Sequence, residues 1–195
     1  MATICIFGDS TAFGAWDKEH GGWAELLWLS FAQDENHFVY NLSIDGGTSE
    51  TILARFEQEA SVRQADILIF QTGANDAAFP FGTTTPTIAL EKFIETMRTV
   101  IARAKMITPH IIIMGNEPYD ESKTVPVSWC NLCYTNALRV SYNDALRMIA
   151  QQEGVLFSEP AALTSDDLYD GLHPNTQGHK KIVDALQKTL YKLLS

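Results

Sequence analysis

The residues best suited to chemistry stand near the two ends of the chain. Gly8-Asp9-Ser10 directly follows an apolar run, residues 3–7, while Asp170 and His173 belong to a DGLHPN segment near the other end. A serine hydroxyl becomes a nucleophile when a neighbouring imidazole accepts its proton, and a carboxylate fixes the tautomer of that imidazole. Ser10, His173 and Asp170 are therefore the candidate nucleophile, base and orienting acid for attack on an ester carbonyl.

The residues around His173 favour a fixed side-chain position. Pro174 is suited to the first turn of a helix and biases the residue before it away from helical angles. Gly171 allows a tight turn, so the carboxylate of Asp170 can reach the imidazole three residues later. The alternative is a surface histidine whose hydrogen bonds are satisfied without a catalytic role, and an aspartate at this spacing followed by proline favours the catalytic interpretation.

Three groups are candidates to stabilise the oxyanion that forms when an ester carbonyl is attacked. They are the backbone N–H groups of Ser10 and Gly46 and the side-chain amide of Asn75. Each such donor is often worth about 3–4 kcal/mol to the transition state. Structural alternatives exist for all three: Ser10 as a helix cap, Gly46-Gly47 as a simple turn, and Asn75 as a turn residue that tolerates left-handed angles.

These segments need a scaffold, and the apolar pattern predicts an α/β fold. Short apolar runs alternate with helix-like stretches, which indicates a parallel sheet with helices on both faces, flavodoxin-like strand order and all strand-to-helix loops at one edge. The predicted strands are TICIF, HFVYNLS, ADILIFQTG, HIIIMGN and GVLFSEP. The predicted helices are GGWAELLWLSFAQ, GGTSETILARFEQEA, and residues 87–104, 128–152 and 174–194. We expect residues 1–195 to form a single domain.

Four blocks taken together resemble the SGNH, or GDSL, hydrolases, a family of esterases and lipases. These blocks are GDS near the start, the glycine after the second strand, GAND at residues 73–76 and DGLHPN at residues 170–175. The resemblance implies a three-layer α/β/α sandwich with a central parallel sheet of about five strands. It also implies an acyl-enzyme mechanism without metal or cofactor. The implied residue roles are a triad of Ser10, Asp170 and His173 and an oxyanion hole of Ser10, Gly46 and Asn75.

Other reaction classes fit the motifs less well. An ordinary α/β-hydrolase would carry G-x-S-x-G in the middle of the sheet, whereas GDSTA follows the first strand. A metal-dependent hydrolase would draw on Asp9, Asp170, His173 and His179, but their spacing matches no known zinc or two-metal arrangement. A non-catalytic binding module is the remaining alternative, and an intact triad argues against it.

Composition and charge limit the partners. The formal net charge of -10 argues against nucleic acid and against anionic polymers. No apolar run is long enough to span a membrane, and no signal-type segment precedes the first strand, so we expect a cytoplasmic protein. Three cysteines fit a reducing compartment. Cys130 and Cys133 form a lone C-x-x-C that we interpret as two small apolar side chains at the start of a helix rather than as a redox motif.

The identity of the ester depends on loops that carry several aromatic side chains. Aromatic rings can line an acyl slot or stack on a sugar ring, and they can equally be loop packing. We expect a short acyl group, such as acetyl, on a small alcohol, aryl or carbohydrate leaving group, with lysophospholipids and thioesters as alternatives. The candidate wall residues are Phe13, Trp16, Phe79, Pro80, Phe81, Tyr119 and Trp129.

Overall fold

A central parallel sheet organises the protein, whose computed structural model describes residues 2–31 and 37–194. In chain order the strands are β1 (Ala2–Gly8), β2 (His37–Asn41), β3 (Ile67–Gln71), β4 (Phe79–Pro80), β5 (Ile111–Met114), β6 (Leu132–Cys133) and β7 (Leu156–Ser158). Five of them pair in parallel in the order β2–β1–β3–β5–β7, while β4 and β6 form a separate antiparallel pair. The predicted flavodoxin-like order is confirmed.

Helices cover both faces of this sheet. They are α1 (Ser10–Phe13), α2 (Trp23–Phe31), α3 (Ser49–Leu53), α4 (Phe56–Val62), α5 (Ala74–Ala77), α6 (Leu90–Ala104), α7 (Glu121–Thr124), α8 (Asn136–Glu153) and α9 (Thr176–Leu194), with a 3₁₀ turn at Ser165–Asp167. Helices α3, α4, α6 and α8 pack on one face, and α2 and α9 pack on the other. The expected three-layer sandwich is confirmed.

Strand β1 illustrates why the sheet is buried on both sides. Its side chains alternate between the faces. Cys5 and Phe7 belong to the core beneath α3, α4, α6 and α8, whereas Ile4 and Ile6 belong to the core beneath α2 and α9. All four are fully buried. A strand with two apolar faces reads as a continuous apolar run, which is the pattern that distinguishes a central parallel strand from a half-exposed one.

Two predicted helices differ from the structure. The stretch 46–60 is divided into α3 and α4, because Arg55 leaves the helical path at φ -137 and its guanidinium donates to the Leu42 carbonyl at 2.6 Å. The helix predicted from Ser128 begins at Asn136 instead. The end of the first predicted helix, residues 32–33, lies outside the described residues.

The segment before α8 is held by its neighbours in an extended form. Phe81 N–H donates to the Asn131 carbonyl at 3.0 Å, and Tyr134 N–H donates to the Thr124 carbonyl at 2.9 Å. The interpretation of Cys130 and Cys133 as the start of a helix was therefore wrong. Cys130 is exposed in a loop, and Cys133 is buried in β6.

Candidate active site

The side chains of Ser10, His173 and Asp170 lie in hydrogen-bond contact at the carboxyl edge of the sheet. The His173 Nε2 atom is 2.9 Å from Ser10 Oγ, and the Nδ1 atom is 2.8 Å from Asp170 Oδ2. A proton on Nδ1 satisfies both contacts, since the imidazole then donates to the carboxylate and accepts from the hydroxyl. The structure thus brings together the three residues that the sequence singles out for nucleophile, base and acid.

A tight turn after β1 presents Ser10. Asp9 caps the four-residue helix α1, and its Oδ1 accepts the backbone N–H of Thr11 at 2.9 Å. A Cβ at Gly8 would lie only 2.5 Å from the Cβ of Ala12. Glycine at position 8 therefore lets the chain fold back closely enough for the serine to stand at the first position of α1.

The backbone around His173 is fixed by the carboxylate that contacts its ring. Asp170 Oδ1 accepts the N–H groups of Leu172 at 2.9 Å and His173 at 2.8 Å, and Tyr169 N–H donates to the His173 carbonyl at 2.8 Å. Burial by itself would raise the pKa of Asp170, but the hydrogen bonds from the His173 ring and backbone outweigh it and hold the pKa below its usual range. The carboxylate therefore stays ionised at neutral pH.

The two glycines after β2 differ in what their N–H groups do. Gly47 N–H closes a turn by donating to the Ile44 carbonyl at 2.9 Å. Gly46 adopts φ +69, lies beside Ser10 in the wall of a cavity, and has open space where a Cβ would be. This geometry favours Gly46 over Gly47 as a donor to a bound oxygen.

Asn75 is oriented by two hydrogen bonds. Its Nδ2 donates to the Gly47 carbonyl at 3.0 Å, and its Oδ1 accepts the Tyr134 hydroxyl at 2.9 Å. Asn75 also lines the cavity beside Ser10, so the second hydrogen on its amide nitrogen can reach a substrate oxygen. Sequence reasoning missed Tyr134, because its segment was predicted to be helical and nothing local marks its partner.

Asp76 connects the two loops that carry Gly46 and Asn75. Its carboxylate accepts both the backbone N–H and the hydroxyl of Ser49, and the Thr72 hydroxyl lies 3.4 Å from it. Burial raises the pKa of Asp76, although the hydrogen bonds from Ser49 oppose this. Its contacts make Asp76 a structural partner that holds these two loops together.

A cavity of about 400 Å³ opens above these groups. Of the aromatic residues expected in its wall, Trp16 and Trp129 are there, while Phe13 and Phe81 are more than half exposed elsewhere and Phe79 is in β4. Tyr119 lines a separate, smaller cavity. Residue type alone does not reveal the direction of a loop side chain. The lining residues are Ser10, Ala15, Trp16, Asp45, Gly46, Thr48, Asn75, Thr87, Trp129, Cys130, Leu132, Tyr134, Leu172 and His173.

Two tryptophans flank the imidazole. The ring centroids of Trp16 and Trp129 lie 6.4 and 5.7 Å from that of His173. Trp16 has φ +69, which is unusual for a bulky residue, and it stacks on Tyr169 with a centroid distance of 5.6 Å and an interplanar angle of 11°. Both indoles are about half exposed, so flat apolar surfaces remain available at the cavity mouth.

His179 is the one residue of the alternative metal-ligand set that has not yet been placed. His179 is engaged elsewhere, because its Nδ1 accepts the backbone N–H of Trp23 at 3.2 Å. Within residues 2–31 and 37–194, no three histidine, cysteine or acidic side chains are grouped as a metal site.

The same part of the chain contains no helix with the length and hydropathy required to cross a membrane.

Comparison with solved structures agrees with this fold. The psychrotrophic esterase EstA from Pseudoalteromonas sp. is 20% identical with a TM-score of 0.76, and the alignment covers 100% of this chain and 99% of EstA. The acetylxylan esterase Axe2 from Geobacillus stearothermophilus is 18% identical with a TM-score of 0.76, over 96% of this chain and 93% of Axe2.

LAE5, an α/β hydrolase enzyme from the metagenome of Lake Arreo, Spain, is 22% identical with a TM-score of 0.76, over 96% of this chain and 94% of LAE5. At such identities these likenesses establish the fold. A search of curated proteins finds no match. Residues 6–181 match the GDSL-like Lipase/Acylhydrolase family, so the chain belongs to that family and is a hydrolase of carboxylic ester bonds.

Proposed function

We propose that the protein is a serine esterase that cleaves short acyl groups from small neutral alcohols or carbohydrates through an acyl-enzyme. The observation that carries this proposal is the continuous hydrogen-bonded path from Asp170 through His173 to Ser10, which ends in an open cavity. The family supplies the reaction class, and the path supplies a nucleophile with a base and an orienting acid.

The first step forms the acyl-enzyme. Ser10 Oγ attacks the carbonyl carbon as His173 Nε2 takes the hydroxyl proton, and the carbonyl electron pair moves onto oxygen. The N–H groups of Ser10 and Gly46 and the amide of Asn75 stabilise this oxyanion. The intermediate then collapses, the bond to the leaving oxygen breaks, and His173 returns its proton to that oxygen.

The second step releases the acid. Water takes the place of the alcohol, His173 accepts a proton from it, and the resulting hydroxide attacks the acyl carbon. Collapse of the second tetrahedral intermediate breaks the bond to Ser10, whose oxygen regains the proton. Asp170 stays ionised throughout and stabilises the imidazolium that forms in each step.

The cavity supports a small, neutral substrate. Its volume of about 400 Å³ is at the lower end of ligand sites. The half-exposed indoles of Trp16 and Trp129 offer flat surfaces suited to an aryl or sugar ring. Among its described lining residues, Asp45 is the only aspartate, glutamate, lysine or arginine, so the wall offers no lysine or arginine to pair with a phosphate. The acetylxylan esterase among the structural relatives is consistent with this class of leaving group.

Hydrolysis of p-nitrophenyl esters of increasing acyl length tests the proposal directly. We expect wild type to be most active on acetyl and other short acyl esters, with unchanged rates in the presence of a chelator. Ser10→Ala should reduce kcat by about 10⁶-fold while leaving the fold intact, as judged by circular dichroism.

The control is Ser141→Ala, which removes an exposed hydroxyl that bonds within α8 and should leave kcat unchanged. Activity that persists in Ser10→Ala and disappears with chelator would overturn the serine mechanism. A preference for long acyl chains would instead favour a lysophospholipase or a long-chain thioesterase using the same triad.

A further inference from the structure

A second, much smaller cavity lies under the turn that carries Ser10. Its volume of about 10 Å³ is room for one water molecule. It shares Ser10, Asn75, Tyr134 and Leu172 with the substrate cavity, but it is also lined by two acidic side chains and a second phenol, those of Asp9, Glu117 and Tyr119. The proposed reaction uses none of these three groups.

Two buried polar atoms in this cavity wall have no hydrogen-bond partner among the residues that the structure describes. Asp9 is 1% exposed, and while its Oδ1 caps α1, its Oδ2 makes no hydrogen bond within the described part of the chain. The hydroxyl oxygen of Tyr119 is likewise buried and without a partner there. Buried polar groups are nearly always satisfied, so these two atoms call for a polar ligand of the size of water.

Glu117 is held in the same wall from the side of the sheet. Its Oε2 accepts the Gln71 Nε2 at 3.1 Å, and the Gln71 Oε1 accepts the indole N–H of Trp23 at 3.0 Å. Glu117 is 5% exposed, and it has no salt bridge in residues 2–31 and 37–194. A carboxyl fixed in this way beside that of Asp9 is costly to ionise.

The surroundings indicate which carboxyl keeps a proton. Burial raises the pKa of Asp9 to about 6 despite the Thr11 N–H, and burial, reinforced by the charge of Asp9, raises that of Glu117 to about 8. At pH values between these two, Asp9 is ionised and Glu117 is protonated. The other titratable or charged groups that face the pair are His173, Asp76, Arg139, Tyr119 and Tyr134.

We propose that Asp9 and Glu117 form a buried carboxyl pair that shares one proton, bridged by a water molecule that also contacts Tyr119, and that Glu117 thereby positions the turn carrying Ser10. Loss of the shared proton places a second negative charge beside the Asp9 carboxylate, which caps α1. Repulsion between the two carboxylates then weakens the hydrogen bond from the Thr11 N–H to Asp9. The positioning role rests on the proposed function, whereas the existence of the pair does not.

Infrared spectroscopy of Glu117→Gln tests the pair without any substrate. In D2O at pH 7, wild type should show the carbonyl stretch of a protonated carboxylic acid, and Glu117→Gln should lose most of this band, any remainder arising from Asp9 and Asp76. The control Glu91→Gln removes an exposed carboxylate and should keep the band. A band that is missing in wild type, or that keeps its full intensity in Glu117→Gln, would overturn the proposal.

The positioning role is measured at the Thr11 amide. Its proton chemical shift should titrate in wild type with an inflection near pH 8, the value expected for Glu117, and should lose that inflection in Glu117→Gln. The kcat of wild type should decline above the same pH, and that of Glu117→Gln should not. An inflection that both proteins share would refute positioning by Glu117, whether or not Ser10 is the nucleophile.

Water in the small cavity is tested by a high-resolution crystal structure of wild type. We expect one ordered water within hydrogen-bond distance of Asp9 Oδ2, the Glu117 carboxyl group and the Tyr119 hydroxyl. A cavity without such density would contradict the bridge.

Discussion

At the scale of single residues, the site depends on side chains that act through others. Asn75 can direct one amide hydrogen at a substrate oxygen because its other groups are occupied by the Gly47 carbonyl and the Tyr134 hydroxyl. Tyr134 is 6% exposed and contributes to the site by fixing this amide. An oxyanion donor that is held in place before the reaction costs no reorganisation when charge develops.

We therefore expect Asn75→Ala to lower kcat by about 10²–10³-fold with little change in KM, since the contact tightens in the transition state. Tyr134→Phe should lower kcat by about tenfold, the equivalent of one ordinary hydrogen bond. Steady-state kinetics on an acetyl ester measures both effects. A rise in KM at constant kcat in Asn75→Ala would mean that this amide binds the ground state instead.

At the scale of elements, one histidine couples the two helices on the same face of the sheet. His179 in α9 accepts the backbone N–H of Trp23, the first residue of α2, at 3.2 Å. Burial, opposed by the nearby Asp17 carboxylate, lowers the pKa of His179 to about 4. Above about pH 4 the ring of His179 is therefore neutral in the folded protein, and its Nδ1 can accept the Trp23 N–H.

This depressed pKa predicts acid sensitivity in a defined range. Between about pH 6.5 and pH 4 the unfolded chain binds a proton at His179 that the folded protein does not, so the free energy of unfolding falls as pH falls. A shift of this size is worth about 3 kcal/mol. Urea unfolding across that range should show a smaller decline for His179→Asn, which keeps an acceptor near the position of Nδ1.

His110→Asn is the matched control, because His110 is exposed and its replacement should preserve the wild-type decline. The buried carboxyls of Asp9, Asp76 and Glu117 have raised pKa values and change stability in the opposite sense. They are common to all three proteins, so the difference between the curves isolates His179. Equal declines in wild type and His179→Asn would contradict this account.

At the scale of the whole molecule, a net charge of -10 acts on any charged substrate that approaches. At low ionic strength the field should slow the binding of anionic esters, and salt should screen it with a Debye length of about 10 Å at 0.1 M. We expect kcat/KM for a succinyl ester to rise with added salt, while that for an acetyl ester of the same alcohol stays constant.

A choline ester, which is cationic, provides the opposite test and should lose kcat/KM as salt is added. Equal salt responses for the three substrates would show that the net charge has no influence at the cavity. Such a result would also remove the electrostatic argument against phosphate-bearing substrates.

The sequence predicts the sheet well because its signals are local. Buried runs such as Ile67–Gln71 carry the strand pattern within themselves, and the glycine-punctuated segments that follow the strands meet at one edge by the geometry of parallel sheets. The positions of Ser10, Asp170 and His173 could be inferred for the same reason.

What could not be predicted depends on contacts between distant parts of the chain. Residues 128–135 carry apolar residues at helix-like spacing, yet the pairing of β6 with β4 holds them extended. The bond between Tyr134 and Asn75 joins residues 59 apart. Trp16 faces the cavity and Phe13 faces outward, a difference set by the turn between them rather than by residue type.

The separation of Ser10 from His173, 163 residues along the chain, has a consequence for biosynthesis. In a nascent chain on the ribosome, Ser10 and the loops that carry Gly46 and Asn75 emerge long before His173 and α9 leave the exit tunnel. On the proposed mechanism, the growing polypeptide is inert towards esters until the segment with His173 and α9 docks. Activity therefore reports that this segment has been made and has docked, and a split at the α8–β7 connection would make each fragment inactive until the two recombine.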